Sequence, residues 1–149
     1  MNICKDLPKS DVPLSEAIIL GSVQHPQSKN SWGSQDKEGK FTDTCAVLAA
    51  VAGVGLLQMT EEALRYMNVN PITAFPILTV DVPPCIVCGK TGMELRESNH
   101  LIVMIMHMND DHEWTRPQIA EFVKQVENQQ VGQRDAVSQA EVCQTPVKV

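Results

Sequence analysis

The sequence feature that most constrains the fold is a set of two cysteines and two histidines in the second half of the chain. Cys85 and Cys88 form a Cys-x-x-Cys pair, and His107 follows 18 residues later with His112 close behind it. Two thiolates and two imidazoles are the donor set that tetrahedral Zn²⁺ prefers in closed structural sites. The sequence therefore predicts one structural zinc ion bound by these four residues.

A third histidine, His100, also follows the cysteine pair at a finger-like distance. It lies seven residues before His107, on the order of 10 Å along a helix, so these two imidazoles cannot bind one ion. His107 and His112 instead show the short interval that is typical of zinc-binding histidine pairs. They are the preferred ligands.

Other interpretations of this region stay open from the sequence. The four residues could bind a metal ion with an open catalytic position, with Asp111 or Glu113 as the base. They could also bind no metal, leaving reduced cysteines and hydrogen-bonded histidines. A redox-active Cys-x-x-Cys normally lies at the N-terminus of a helix that follows a strand. Pro83, Pro84 and the nearby histidines do not fit that setting, so a redox role is disfavoured. Asp110, Asp111 and Glu113 are interpreted as a solvated corner whose carboxylates orient the imidazoles.

Composition limits both the size of the core and the class of partner. The chain has 149 residues, enough for one domain, with 43% hydrophobic but only 4% aromatic residues, so zinc would compensate for a core poor in large side chains. The net charge of −6 argues against autonomous binding to nucleic acid, which normally needs a basic face.

The polar start is unlike an export signal, and residues 45–57 are too few to cross a bilayer. We therefore expect a cytoplasmic protein without a membrane segment.

The predicted fold is mainly α with a small zinc-stapled α(+β) C-terminal module, in a single compact domain with flexible tails. Residues 45–57 are apolar on all sides and should form the central buried helix. Residues 25–43 are polar and aperiodic, and are expected to form a long loop. The expected parts are an N-terminal arm at 1–12, a helical domain at 13–128 that includes the zinc module at 75–128, and a polar tail at 129–149, in which a weak helix is one alternative.

Local patterns predict the other elements. Thr44 and Ser98 are the expected N-caps of helices at 45–57 and 101–108. Thr115 and Gln118 form a capping box, which predicts a helix from 116 to about 127. The apolar stripe of that helix consists of Ile119, Phe122, Val123 and Val126. The remaining predicted elements are a helix at 14–23, a helix from Thr60 and an extended segment at 75–82.

Four segments of the chain share a pattern with known sequences. They read LSEAIILG, TCAVLAAVAG, CIVCG and HMNDDHEWTRPQIAEFV, at about residues 14–24, 44–53, 85–89 and 107–123. Together they resemble an uncharacterised family of small bacterial proteins with the pattern LSEAIxLG…CALGAA…CPxCG…HLNDxHxWTRExIAxWV. Ile86 stands where that pattern often has proline, and none of the departures removes a predicted ligand. The resemblance implies a shared fold and site, and implies no activity.

The closed ligand set, the acidic composition and the absence of catalytic motifs favour a non-enzymatic protein-interaction module. It would act as a regulatory adaptor or an assembly component, with a protein as its partner. One alternative is a metal-dependent hydrolase. The other is a nucleic-acid-binding, finger-like protein, which is disfavoured because Arg116 and Lys124 are balanced by Glu121 and Glu127 on the same helix. No catalytic residue is predicted.

Three further cysteines lie outside the predicted site. Cys45 opens an apolar helix and is interpreted as a small buried side chain. Cys4 and Cys143 lie in the expected arm and tail, where the sequence gives them no role.

Overall fold

The computed structural model describes residues 5–29, 33–37, 41–55, 69–96 and 98–144. This described part is mainly helical, with two sheets of two short strands each. Within it, no helix combines the length and the apolar character needed to cross a bilayer. In chain order the elements are β1 (Lys5–Asp6), α1 (Leu14–Ser22), β2 (Gly33–Gln35), β3 (Phe41–Thr44), α2 (Ala46–Gly53), β4 (Val69–Asn70), α3 (Pro71–Ala74), a 3₁₀ helix (Pro76–Thr79), α4 (Gly92–Arg96), α5 (Leu101–Asp110) and α6 (Arg116–Gln144).

Helix α2 is the central helix, as predicted, and every residue from Ala46 to Ala52 is buried. Helix α1 lies against it through small residues on both sides. A Cβ on Gly21 would overlap the backbone carbonyl of Ala49, and a Cβ on Gly53 would overlap the carbonyl of Ala17. The two backbones therefore approach more closely than ordinary side chains permit.

Helix α6 begins with the predicted capping box. The backbone N–H of Thr115 donates to Oε1 of Gln118 at 2.8 Å, and the N–H of Gln118 donates to Oγ1 of Thr115 at 3.3 Å. Ile119, Val123 and Val126 are buried in the core, with Phe122 packed against it. The predicted apolar stripe is confirmed.

Helix α6 does not end near residue 127 as predicted, but continues to Gln144. The apolar period disappears after Val126, and the loss of this period predicts an end that the helix does not have. Glutamine, glutamate, alanine and arginine all have good intrinsic helix propensity. A helix can therefore continue where its buried stripe stops.

Other element predictions need correction. The loop predicted at 25–43 contains β2, which pairs antiparallel with β3 across a register irregularity. The segment predicted to be extended at 75–82 forms a 3₁₀ helix at Pro76–Thr79, consistent with the tolerance of proline in a first helical turn. The helix predicted from Thr60 lies outside the described residues.

The N-terminal arm is partly ordered against the domain. Strand β1 pairs in parallel with β4, and the backbone N–H of Leu7 donates to Oγ1 of Thr73 at 2.7 Å. Leu7 itself is buried in the core. Parallel pairing joins segments far apart in sequence, which local patterns do not reveal.

Candidate metal centre

The two cysteines lie on a tight turn, residues 85–90, which we call the knuckle. The backbone N–H of Cys85 donates to the carbonyl of Lys90 at 2.9 Å, and the N–H of Gly89 donates to the carbonyl of Cys85 at 2.8 Å. Gly89 has a φ of +78°, a conformation that glycine adopts without strain. The N–H of Val87 points at Sγ of Cys85, 3.4 Å away. This turn directs both sulfur atoms to one side.

The segment before the knuckle is held beside the start of α5. The N–H of Val82 donates to the carbonyl of Asn99 at 2.9 Å, and the N–H of Leu101 donates to the carbonyl of Val80 at 2.8 Å. The residue before α5 in the N-cap position is His100, and not the predicted Ser98. These backbone bonds place the knuckle alongside the helix that carries His107.

The two histidines come from the end of α5 and the turn that follows, within residues 107–116, which we call the corner. His107 lies in the last turn of α5, and the N–H of Asp111 donates to its carbonyl at 2.8 Å. Glu113 then adopts a φ of 56°, which is uncommon for a residue with a Cβ. The chain reverses here, and the N–H of Trp114 donates to the carbonyl of Met108 at 3.0 Å.

The structure brings all four predicted ligands together. Sγ of Cys88 lies 3.3 Å from Nε2 of His107, and Nε2 of His112 lies 3.0 Å from the same nitrogen. One donor atom from each of the four residues lies within 4.8 Å of every other. Zn–N bonds of about 2.0–2.1 Å and Zn–S bonds of about 2.3 Å separate neighbouring tetrahedral ligands by about 3.3–3.8 Å. The donor set therefore fits one metal ion of this size to within about 1 Å.

The carboxylate of Asp111 orients the central imidazole. Its Oδ2 lies 2.7 Å from Nδ1 of His107. A carboxylate at this distance favours the proton on Nδ1, which leaves Nε2 with a free lone pair. That lone pair faces Cys88 and His112, whose imidazole meets the His107 ring edge-on at an interplanar angle of 80°. The predicted orienting role of a corner carboxylate is thus seen at Asp111.

The ligands differ in their access to solvent. Cys85 and His107 are 3% and 7% exposed, respectively. Cys88 is exposed and His112 is half-buried. The site therefore lies near the surface, with Cys85 buried in the core and Cys88 an exposed residue.

The competing histidine, His100, lies in a different contact. Its Nδ1 is 3.3 Å from Oδ1 of Asp81, and both side chains are largely exposed. It is not part of the group of four donors, in agreement with the argument from helical spacing.

The acidic residues of the corner do not form an acid/base cluster. Asp111 faces His107, whereas Oδ1 of Asp110 accepts a hydrogen bond from Asn109 at 2.8 Å. Glu113 pairs with Lys29 at 3.0 Å on the surface. Each carboxylate thus has a separate partner.

Asn109 is a site residue that sequence reasoning missed. It is 1% exposed. Its Nδ2 donates to the carbonyl of Ser28 at 2.8 Å, and its Oδ1 accepts from Nε2 of Gln27 at the same distance. Gln27 also donates to the carbonyl of Trp114 at 2.7 Å. Hydrogen bonds from Asn109 therefore join the corner to residues 25–28, while the two histidines of the corner lie beside the cysteines of the knuckle.

Arg116 is the second residue whose role was missed. It is buried, and its guanidinium donates to Oγ1 of Thr44 at 3.0 Å and to the carbonyl of Ser22 at 3.1 Å. A longer contact of 3.4 Å joins it to the carbonyl of Pro26. Burial lowers the pKa of Arg116 below its ordinary value. Its side chain joins the corner to α1, β3 and the loop between them.

Cys45 is buried, as predicted, but it also has a structural role. Cys45 replaces the predicted Thr44 as the N-cap of α2, and its Sγ accepts from the N–H of Leu48 at 3.4 Å. Burial raises the pKa of the Cys45 thiol to about 11. The side chains of Cys4 and Cys143 lie outside the described part of the structure.

Comparison with known proteins adds no family to this description. Searches against protein-family models, curated proteins and solved structures find no match. The resemblance to the bacterial sequence pattern stays a prediction.

Proposed function

We propose that the chain is a non-enzymatic protein-interaction module stabilised by one structural Zn²⁺ bound to Cys85, Cys88, His107 and His112. The observation that carries the proposal is the convergence of four soft and borderline donors within 4.8 Å of one another. Two sulfurs and two imidazole nitrogens select zinc over Mg²⁺ or Ca²⁺, which prefer oxygen ligands.

The donor count supports a structural role over a hydrolytic one. Tetrahedral zinc with four protein ligands has no position for an activated water, whereas catalytic zinc normally keeps one position open. Asp111 and Glu113, the candidate bases, already contact His107 and Lys29. The hydrolase alternative therefore has no free coordination position and no free base at the corner.

The ion would join the knuckle to the corner. The knuckle packs in the core through Cys85, while His107 lies in the last turn of α5 and His112 in the turn that follows. Bound zinc would hold these segments together in the module at 75–128. Because the unfolded chain has no preformed site, the free energy of metal binding would stabilise the folded state.

An interaction role is supported by the apolar tip of the knuckle. Ile86 and Val87, which lie between the two cysteine ligands, are 74% and 54% exposed. These two side chains are the apolar part of the surface that we propose a protein partner covers. The nucleic-acid alternative loses one of its two cations on α6, since Arg116 is buried and bonded within the domain.

The first test is the metal content of the purified protein by plasma mass spectrometry. We expect about one zinc ion per chain, lost together with thermal stability in Cys88→Ser and His107→Ala. His100→Ala is the matched control, since His100 faces Asp81 and lies outside the group of four donors. A wild-type protein purified without chelator and containing no metal would refute the zinc site.

The second test addresses the interaction role separately. Ile86→Ser/Val87→Ser changes the knuckle tip but leaves all four donors in place, so the variant should keep its zinc. Proteins that co-purify with the wild type at stoichiometric amounts should be lost from this variant. Val23→Ser is the control, because Val23 is also an exposed apolar residue, at 83%, but lies at the end of α1 and not on the knuckle. Equal recovery with all three proteins would count against the knuckle as the contact surface.

A further inference from the structure

We propose that the zinc centre is a peroxide-sensitive switch, in which oxidation of Cys88 and Cys85 to a disulfide releases the metal and frees the knuckle. This inference rests on the proposed zinc site and adds a form of regulation to it. Three observations support it: the unequal exposure of the two cysteine residues, the separation of their sulfur atoms, and the contacts that hold the knuckle.

The two cysteines are arranged as an attacking and a resolving thiol. Both are free cysteines, with Cys88 exposed and Cys85 buried. Their sulfur atoms lie within 4.8 Å of each other on one turn. Susceptibility to oxidation follows thiolate character and solvent access. Metal binding supplies the thiolate form, and exposure makes Cys88 the first sulfur that peroxide meets.

The proposed chemistry is a two-electron oxidation by hydrogen peroxide. The Cys88 thiolate attacks one peroxide oxygen, the O–O bond breaks, and a sulfenic acid and hydroxide form; the hydroxide takes up a proton from solvent as the first water. The Cys85 thiolate then attacks the Cys88 sulfur, forms the S–S bond and displaces hydroxide, which takes up a proton as a second water. Each sulfur gives up one electron and peroxide accepts two. Zn²⁺ leaves because a disulfide is no longer a thiolate ligand pair.

Loss of the ion would act first on the knuckle, which supplies two of the four donors. Helix α5 and the corner keep backbone bonds of their own, including the bond from the Trp114 N–H to the carbonyl of Met108 at 3.0 Å. Cys85 packs in the core, whereas its neighbours Ile86 and Val87 are exposed. Oxidation would therefore lower the stability of the domain while these backbone bonds stay in place, and would change the position of the apolar tip. The switch would regulate the surface proposed for partner binding.

The experiment is a peroxide titration of the full-length, zinc-loaded protein. A chromogenic zinc chelator records metal release, and peptide mass spectrometry records the disulfide. Tryptic cleavage after Arg65 and Lys90 yields one peptide, residues 66–90, that contains Cys85 and Cys88 and no other cysteine. We expect about one zinc released for each peroxide consumed, together with a loss of about 2 Da from this peptide. Dithiothreitol and added zinc should restore the starting state.

Two variants sharpen the result. Cys88→His keeps a fourth ligand for zinc but cannot form the disulfide, so it should retain its metal at peroxide concentrations that empty the wild type. Cys45→Ala removes a cysteine outside the cluster and should release zinc as the wild type does. If Cys88→His does not bind zinc, the mass of peptide 66–90 from the wild type still tests whether the disulfide forms.

The outcomes separate the two proposals. Wild type that binds zinc and keeps it through the titration, or that releases it without the mass loss in peptide 66–90, overturns the switch and leaves the structural site standing. Wild type that binds no zinc overturns both.

Discussion

The carboxylate of Glu127, on helix α6, caps helix α1 at Ser15. Its Oε2 accepts a hydrogen bond from the backbone N–H of Ser15 at 3.1 Å, and its Oε1 accepts another from the Ser15 hydroxyl. The N-cap residue of α1 is Pro13, whose side chain makes no capping bond. A negative charge at a helix N-terminus also interacts favourably with the helix dipole. Glu127 therefore supplies from a distant helix the cap that α1 lacks locally.

Glu127→Ala is expected to lower the free energy of unfolding by about 1–2 kcal/mol, because it removes two hydrogen bonds and the charge at the start of α1. Urea denaturation followed by circular dichroism measures the change. Glu121→Ala is the matched control, since Glu121 is an exposed residue on the same helix. Equal effects of the two substitutions would argue against the cap.

Gly21→Ala should destabilise the fold by about 1–3 kcal/mol, since the new methyl group would overlap the carbonyl of Ala49 and force α1 away from α2. An unobstructed glycine in a helix behaves in the opposite way, because alanine there adds roughly 0.5–1 kcal/mol of stability. The sign of the change in melting temperature is thus diagnostic. Leu20→Ala, at a neighbouring position that is 43% exposed, controls for a general sensitivity of α1.

Arg116→Met should cost about 2–4 kcal/mol, because it leaves the carbonyl of Ser22 and the hydroxyl of Thr44 without their buried donor. Thermal unfolding would show the loss. Lys124→Met removes an exposed cation from the same helix and should change stability little. Equal stability of the Arg116→Met and Lys124→Met variants would show that the hydrogen bonds of the Arg116 guanidinium do not stabilise the fold.

Cys45 should make the protein sensitive to alkaline pH. Burial raises its thiol pKa from 9.0 to about 11, so the unfolded chain releases this proton before the folded state does. Below pH 9 the thiol is protonated in both states and does not lower the free energy of unfolding. As pH rises toward 11 the free energy of unfolding falls, by about 2 kcal/mol at pH 11. Comparing wild type with Cys45→Ala across this range isolates the effect, since the other titrating groups are shared. A constant difference between the two proteins would contradict the prediction.

Asp111→Asn should weaken zinc binding by about 10- to 100-fold, because the amide holds the His107 imidazole less firmly and lowers its basicity. Competition with a calibrated chelator measures the affinity. Asp81→Asn is the control, since Asp81 faces His100 and not a ligand. Identical affinities for both variants would remove Asp111 from the site.

The features that could be predicted from sequence are those encoded by neighbouring residues. The Cys-x-x-Cys pair, the His107 and His112 interval and the capping box at Thr115 each depend on residue types a few positions apart. Such patterns specify local geometry directly. The convergence of the two pairs then follows from the short backbone pairing beside α5.

The features that were missed depend on contacts between distant residues. Arg116 meets Thr44 across 72 positions of sequence, Asn109 meets Ser28 across 81, and Glu127 meets Ser15 across 112. An arginine followed by proline at the start of a helix looks like an exposed cation. Its burial is decided by tertiary packing, which one sequence does not disclose.

The corner at residues 107–116 has a consequence for how the length of this chain can vary. Its histidines lie beside the knuckle, while Asn109, between them, and Arg116, after them, bind a different part of the fold at Ser28 and Thr44. Inserting or deleting one residue here would rotate one set away from its partners even if the other were kept. Related proteins that share this architecture should therefore accommodate insertions and deletions elsewhere, and keep these ten positions in unbroken register.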